Sequence, residues 1–169
     1  WIGPENAEWK GNYLVRFWEP GWRQVLFGTA GAYLDRIVAA GFDGVYLDRV
    51  DVYSEVQKQC PGAAKKMVAF VARLAAHARK KNPNFIVILQ NAEELLQDKD
   101  MVNAIDAVAK EDLFYGADHS ERRNDPEFNE GFRQLVGEEV QRLERMLDDL
   151  LRHARPRSTP AIGEGAHLG

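Results

Sequence analysis

Gly41-Phe-Asp-Gly-Val-Tyr-Leu-Asp-Arg-Val-Asp51 is the stretch that decides the fold. Gly41 closes a helical pattern, and Gly44-Val-Tyr-Leu47 is a compact apolar strand that ends at Asp48. A helix feeding a short strand with no Gly or Pro inside its apolar run is one repeat of a parallel β/α architecture.

The same unit recurs on both sides of this stretch. Upstream, Trp22, Val25, Leu26, Thr29, Tyr33 and Ile37 follow three- and four-residue steps, which predicts one helix stopped by Gly41. Residues 1–20, rich in Trp, Gly, Pro and Asn, read as a long loop around an extended piece at 13–17. Downstream, a helix starts after Pro61-Gly62, carries Met67, Phe70, Val71, Leu74 and Ala78 on one stripe, and ends by Asn82-Pro83. Phe85-Ile-Val-Ile-Leu89 then reads as a strand buried on both faces. A short helical segment around 93–97 leads to a third strand at 106–109. Asn124 or Asp125 as cap, Pro126 and Glu127 predict a last helix, with Phe132, Leu135, Val136, Val140, Leu143 and Leu147 on its apolar stripe. The fold class is therefore α/β with a parallel sheet, in about three to four β/α units; these do not by themselves close an eight-stranded TIM-type (β/α) barrel, which needs roughly 250 residues where this chain has 169.

Composition narrows the partners. The net charge is −4 at pH 7, with no basic stripe interleaved with aromatics, which argues against nucleic acid. The cluster Arg79-Lys80-Lys81 closes a helical pattern, where cations favour the negative end of the dipole. Cys60 is the single cysteine, so no internal disulfide forms. No apolar run approaches the roughly 20 residues of a membrane span, and no signal peptide is recognisable. The four histidines are far apart and lack metal-ligand spacing, so no metal site is expected.

Parallel β/α folds gather their functional side chains at the carboxyl ends of strands. Here those ends read Asp48-Arg-Val-Asp51, Gln90-Asn-Ala-Glu-Glu94 and Lys110-Glu-Asp112, all with carboxylates. Neither a Ser elbow with a nearby His nor a Gly-rich phosphate loop follows a strand. Paired carboxylates suit glycoside hydrolysis, in which one donates a proton to the leaving oxygen and the other attacks or stabilises the oxocarbenium-like centre. Trp1, Trp9, Tyr13, Trp18, Tyr53 and Tyr115 would supply flat faces for sugar rings. Plainer roles compete at each position. Asp48 suits a helix cap, Asp51 and Asp112 structural duty, and Glu93 and Glu94 a helix start. Asn91 suits either a cap or a substrate hydroxyl. A non-catalytic carbohydrate-binding remnant is the alternative function, and a flavodoxin-like module lacks its loop after the first strand.

The runs Gly11-Asn-Tyr-Leu-Val-Arg-Phe-Trp18 and Gly41 to Asp51 resemble glycoside hydrolase family 114, the endo-α-1,4-polygalactosaminidase-like proteins. Gln90-Asn-Ala-Glu93 and Glu111-Asp-Leu-Phe-Tyr115 follow in that family's order, so the resemblance covers residues 1–116. It implies an eight-stranded (β/α) barrel that cuts α-1,4-linked galactosamine and N-acetylgalactosamine polymers without a cofactor, in the extracellular or periplasmic space. Carried onto this chain, it makes Asp48 and Glu111 the catalytic carboxylates, with Glu111 favoured as the acid. Asp51, Tyr46, Asn91, Glu93, Tyr115 and Trp18 are the expected substrate-binding residues. Residues 1–154 are expected to be part of the catalytic barrel, with 155–169 a disordered tail. The first residue is Trp1, so the chain is expected to be a piece of a longer protein, and truncated sheet edges would favour non-specific self-association.

Overall fold

The computed structural model describes residues 1–116, 122–124, 130, 134 and 137. The chain divides into two compact units, Trp1–Asp125 and Pro126–Gly169. In the second, Glu130, Gln134 and Gly137 are helical, and Gln134 Nε2 donates to Glu130 Oε1 at 3.1 Å, an i,i+4 pair. The rest of the predicted last helix, Phe132 included, and the tail at 155–169 lie outside the described residues.

The first unit is built around a parallel sheet in the order β3-β4-β5, formed by Gly44–Leu47, Ile86–Gln90 and Ala107–Ala109. Gly44 pairs with Ile86 and Leu47 with Leu89, then Ile88 pairs with Ala107 and Gln90 with Ala109, so all three strands end at one rim. Between β3 and β4 runs α3, Ala63–Arg79, preceded by Gly62 at a left-handed φ of 74°. Its stripe behaves as the spacing requires: Met67, Val71, Leu74 and Ala78 are buried, each large side chain contributing about 1.5–3 kcal/mol of transfer free energy. Phe70 is half-buried and stacks edge-on with Phe27 and Phe17, at centroid distances of 5.5 and 6.3 Å.

Four expectations change. The single helix over 22–37 is two, α1 (Pro20–Phe27) and α2 (Tyr33–Ala39), because Gly28-Thr-Ala-Gly31 breaks it and Gly31 sits at φ 80°. The break resets the helical phase, so Tyr33 and Val25 are exposed, whereas Phe27 and Leu34 are buried. Residues 1–20 are not simply a loop: β1 (Ile2–Glu5) pairs antiparallel with β2 (Tyr13–Val15), with an irregular register. Gly3 and Pro4 disguise β1, since Pro has no N–H to give and is tolerated in an edge strand. The β4 run is buried on one face only. Phe85, Val87 and Leu89 are inaccessible, but Ile86 is 43% exposed, and Tyr46 on β3, which pairs with Ile88, is 51% exposed. Finally, a separate helix α4 (Lys99–Ala104) follows the 3₁₀ turn Glu93–Gln97, started by Asp98, whose side chain accepts from the Asp100 N–H.

The amino ends of the strands are locked. Arg79, at the end of α3, donates from Nη2 to Asp106 Oδ2 at 2.7 Å and from Nε to the Phe85 carbonyl at 3.2 Å. The same Asp106 oxygen accepts the Val87 N–H at 2.7 Å. Lys81 Nζ and His77 Nε2 both reach Asp35 Oδ1 on α2, at 2.5 and 2.8 Å. The basic cluster thus ties helices and strands together, beyond any dipole effect. Among the described residues, no helix is long and apolar enough to cross a membrane.

Candidate active site

The carboxyl ends of β3, β4 and β5 form one rim, and the backbone there is unusual. Arg49, Asn91, Ala92 and Asp112 are the non-glycine residues with positive φ among the described residues, at 59°, 55°, 58° and 51°. Every one lies within three residues of a strand end in the sheet. Left-handed backbone at a non-glycine residue costs on the order of 1–3 kcal/mol, and such strain persists where side chains must be aimed.

At the end of β3, Asp48 is exposed, and its Oδ1 accepts the Arg49 N–H at 2.7 Å. The 3₁₀ turn that follows, Val50–Ser54, has Arg49 in the N-cap position and no side-chain cap bond, so Asp48 does not cap it. Arg49 instead holds Glu55 at 2.5 Å. Asp51 is half-buried inside this turn, and its carbonyl accepts the Ser54 hydroxyl at 2.9 Å. Asp48 and Arg49 line a cleft of about 530 Å³ with Trp9, Tyr13, Asn6 and Asn12 of the hairpin, floored by apolar side chains of α3. A groove of about 460 Å³ beside β3 is shared by Tyr46 and Asp48.

At the ends of β4 and β5 the side chains grip each other. Asn91 Nδ2 donates to Glu111 Oε2 at 3.1 Å, and the Glu111 N–H donates back to Asn91 Oδ1 at 3.0 Å. Asn91 therefore caps nothing; the turn beginning at Glu93 has Ala92 at its N-cap and no side-chain cap bond. Glu93 pairs with Lys110 Nζ at 2.8 Å, both side chains mostly covered. Sequence alone does not mark Lys110 as a partner of Glu93; its signal there is adjacency to Glu111. Glu111 itself is exposed, and the Asp112 carbonyl accepts from the Asn124 amide.

The aromatics separate. Tyr115 is 59% exposed, in an isolated antiparallel bridge to Arg123. Tyr53, expected as an open sugar platform, is instead buried, and its hydroxyl donates to Glu94 Oε2 at 3.3 Å. Burial, reinforced by the Glu94 carboxylate, pushes its phenol up to about 12. Trp18 stands edge-on to Phe17 at 5.1 Å and lines a different cavity, about 240 Å³, with Arg23, Lys66 and Arg73. The structure thus gathers Asp48, Tyr46 and Asp51 at one strand end and Asn91, Glu93 and Glu111 across the next two. It sets Trp18 apart from that rim. Among the described residues no cluster of His, Cys, Asp and Glu could hold a metal ion.

Comparison with known proteins bears on the family and the fold. The model of glycoside-hydrolase family GH114 matches residues 1–143. An uncharacterised protein of Deinococcus radiodurans is 43% identical over 114 residues, covering 68% of this chain and 35% of that protein. One from Methanocaldococcus jannaschii is 40% identical over 142 residues, covering 80% of this chain and 39% of that protein. This chain therefore spans little more than a third of such relatives. The glycoside hydrolase domain of PelA from Pseudomonas aeruginosa superposes with a TM-score of 0.58 at 17% identity, over 83% of this chain and 53% of that domain. At that identity the likeness speaks to the fold alone.

Proposed function

The chain belongs to glycoside-hydrolase family GH114, and we propose that it is part of a (β/α) barrel enzyme, contributed by residues 1–154, that cuts α-1,4-linked galactosamine and N-acetylgalactosamine polymers internally. Asp48 and Glu111 are its catalytic carboxylates. The observation that carries this reading is their placement: they follow the two outer strands of the parallel sheet among the described residues, on the same rim, with β4 between them. Strands lie about 4.8 Å apart, so two steps set the strand ends roughly 10 Å apart, a span that side chains can shorten to the roughly 5–9.5 Å of paired catalytic carboxyl groups.

In this mechanism Glu111 protonates the departing glycosidic oxygen. As that bond breaks, positive charge grows at the ring oxygen and anomeric carbon. Asp48 meets it, either by direct attack or by drawing a proton from the incoming water. Tyr46 and Tyr115, with half or more of their surface exposed, offer faces for flanking sugar rings. Asp51 adds negative charge near the first acid. An acidic rim suits a substrate carrying free ammonium groups, whose approach it favours electrostatically. A polymer substrate of this kind is met in the extracellular or periplasmic space, where we place the enzyme.

The test uses the whole protein that carries this chain and partially deacetylated α-1,4-galactosaminan. Internal cutting should shorten the polymer rapidly before small sugars accumulate. Glu111→Gln should still bind the polymer in a sedimentation assay while releasing no new ends. An unmutated protein that binds without cutting would instead make the domain a carbohydrate-binding remnant.

A further inference from the structure

We propose that Asn91 is a positioning residue that decides which oxygen of Glu111 carries the proton, an inference that rests on Glu111 being the acid. A backbone N–H can only donate, so the Asn91 atom that meets the Glu111 N–H at 3.0 Å is the carbonyl oxygen Oδ1. That settles the orientation of the amide. Its other branch is the NH₂ group, which donates to Glu111 Oε2 at 3.1 Å. A proton on Oε2 would take up one of its lone pairs and make it a poor acceptor for this N–H. A proton carried by Glu111 is therefore favoured on Oε1, which no described residue binds and which can meet a glycosidic oxygen.

The backbone makes this arrangement rigid. The Asn91 N–H donates to the Ala109 carbonyl at 2.8 Å, which ties the end of β4 to the end of β5. Asn91 and Ala92 then take successive left-handed conformations, turning the chain so that the amide reaches across to Glu111 rather than along the turn. Glu93 and Lys110, two residues further along β4's loop and one before Glu111, form a second cross-link at 2.8 Å between the same two strand ends. Each end of the Asn91 amide already holds a bond to Glu111. It orients the acid, and a sugar hydroxyl is not its main partner.

Asn91→Asp is the informative variant. It keeps an acceptor for the Glu111 N–H but replaces the donor at Oε2 with a repelling oxygen. In the whole protein, on galactosaminan, kcat should fall by about 100-fold, while KM and the melting temperature stay close to the unmutated values. A raised KM with unchanged kcat would make Asn91 a sugar ligand and overturn the inference. Unchanged kcat and KM would overturn it too. If Glu111→Gln still turns over, the catalytic reading itself fails, a separate result. A measurement independent of turnover stands beside these. In the unmutated protein the Asn91 side-chain NH₂ resonances should follow the titration of Glu111, and in Glu111→Gln they should not. Resonances indifferent to that titration would mean that the bond is absent and the proposal wrong.

Discussion

The buried titratable groups yield the sharpest predictions. Tyr53 carries a phenol pushed up to about 12, chiefly by burial and then by Glu94. A group whose folded pKa is raised contributes stability fully below its unfolded value, near 10, and loses it as pH rises towards 12. Ultraviolet titration of the tyrosinate band should therefore show one late, cooperative tyrosine that is missing in Tyr53→Phe; ionisation of every tyrosine near pH 10 would contradict its burial. Asp35 behaves oppositely. The Lys81 ammonium, then His77, hold its carboxyl below the usual carboxylate range. Its contribution is present above about pH 4 and is lost as pH falls through the lowered value. Asp35→Asn should cost roughly 1–3 kcal/mol at pH 7 and flatten acid unfolding, as read by denaturant melts across pH. The place of Asp48 and Glu111 just after strand ends was legible, because short apolar runs mark where those strands stop. Direction was not legible where a 3₁₀ turn decides it: Tyr53 looks like a rim aromatic in sequence and points inward. Nor does sequence reveal that Asn91 reaches β5, since that bond joins residues twenty positions apart.

Elements are held by contacts with little tolerance. A Cβ on Gly44 would lie 2.3 Å from the Ile86 carbonyl oxygen across the β3-β4 pair. Gly44→Ala must push the strands apart, and a loss of about 1–3 kcal/mol is expected; an unchanged melt would show that β3 has room to shift. At the amino ends, Asp106→Ala strips the Val87 N–H, in a fully buried residue, of its acceptor and costs Arg79 its carboxylate partner. That should cost about 1–3 kcal/mol without altering the opposite rim, where substrate chemistry is proposed. The three strands of the parallel sheet and α3 were readable because apolar runs and Pro-Gly punctuation agree there. The break between α1 and α2 was masked by apolar spacing that continues across Gly28 and Gly31. β1 exists only through its pairing with β2, which no local pattern announces.

For the molecule as a whole, family membership was readable from four short motifs, because three of them sit at the strand ends that the fold brings together. One-sided burial of the sheet was not readable, since exposure depends on what stands opposite. With Tyr46, Ile86 and Phe42 each more than 40% exposed, the chain on its own is expected to self-associate in sedimentation; a monodisperse monomer with a cooperative melt would contradict that. The assignment of catalysis to Asp48 and Glu111 is tested most directly in the whole protein. New reducing ends released from partially deacetylated α-1,4-galactosaminan are followed beside Asp48→Asn and Glu111→Gln, with folding checked by circular dichroism. Release should collapse in both folded variants, by at least about 100-fold. Release that persists in either one would remove that residue from the chemistry.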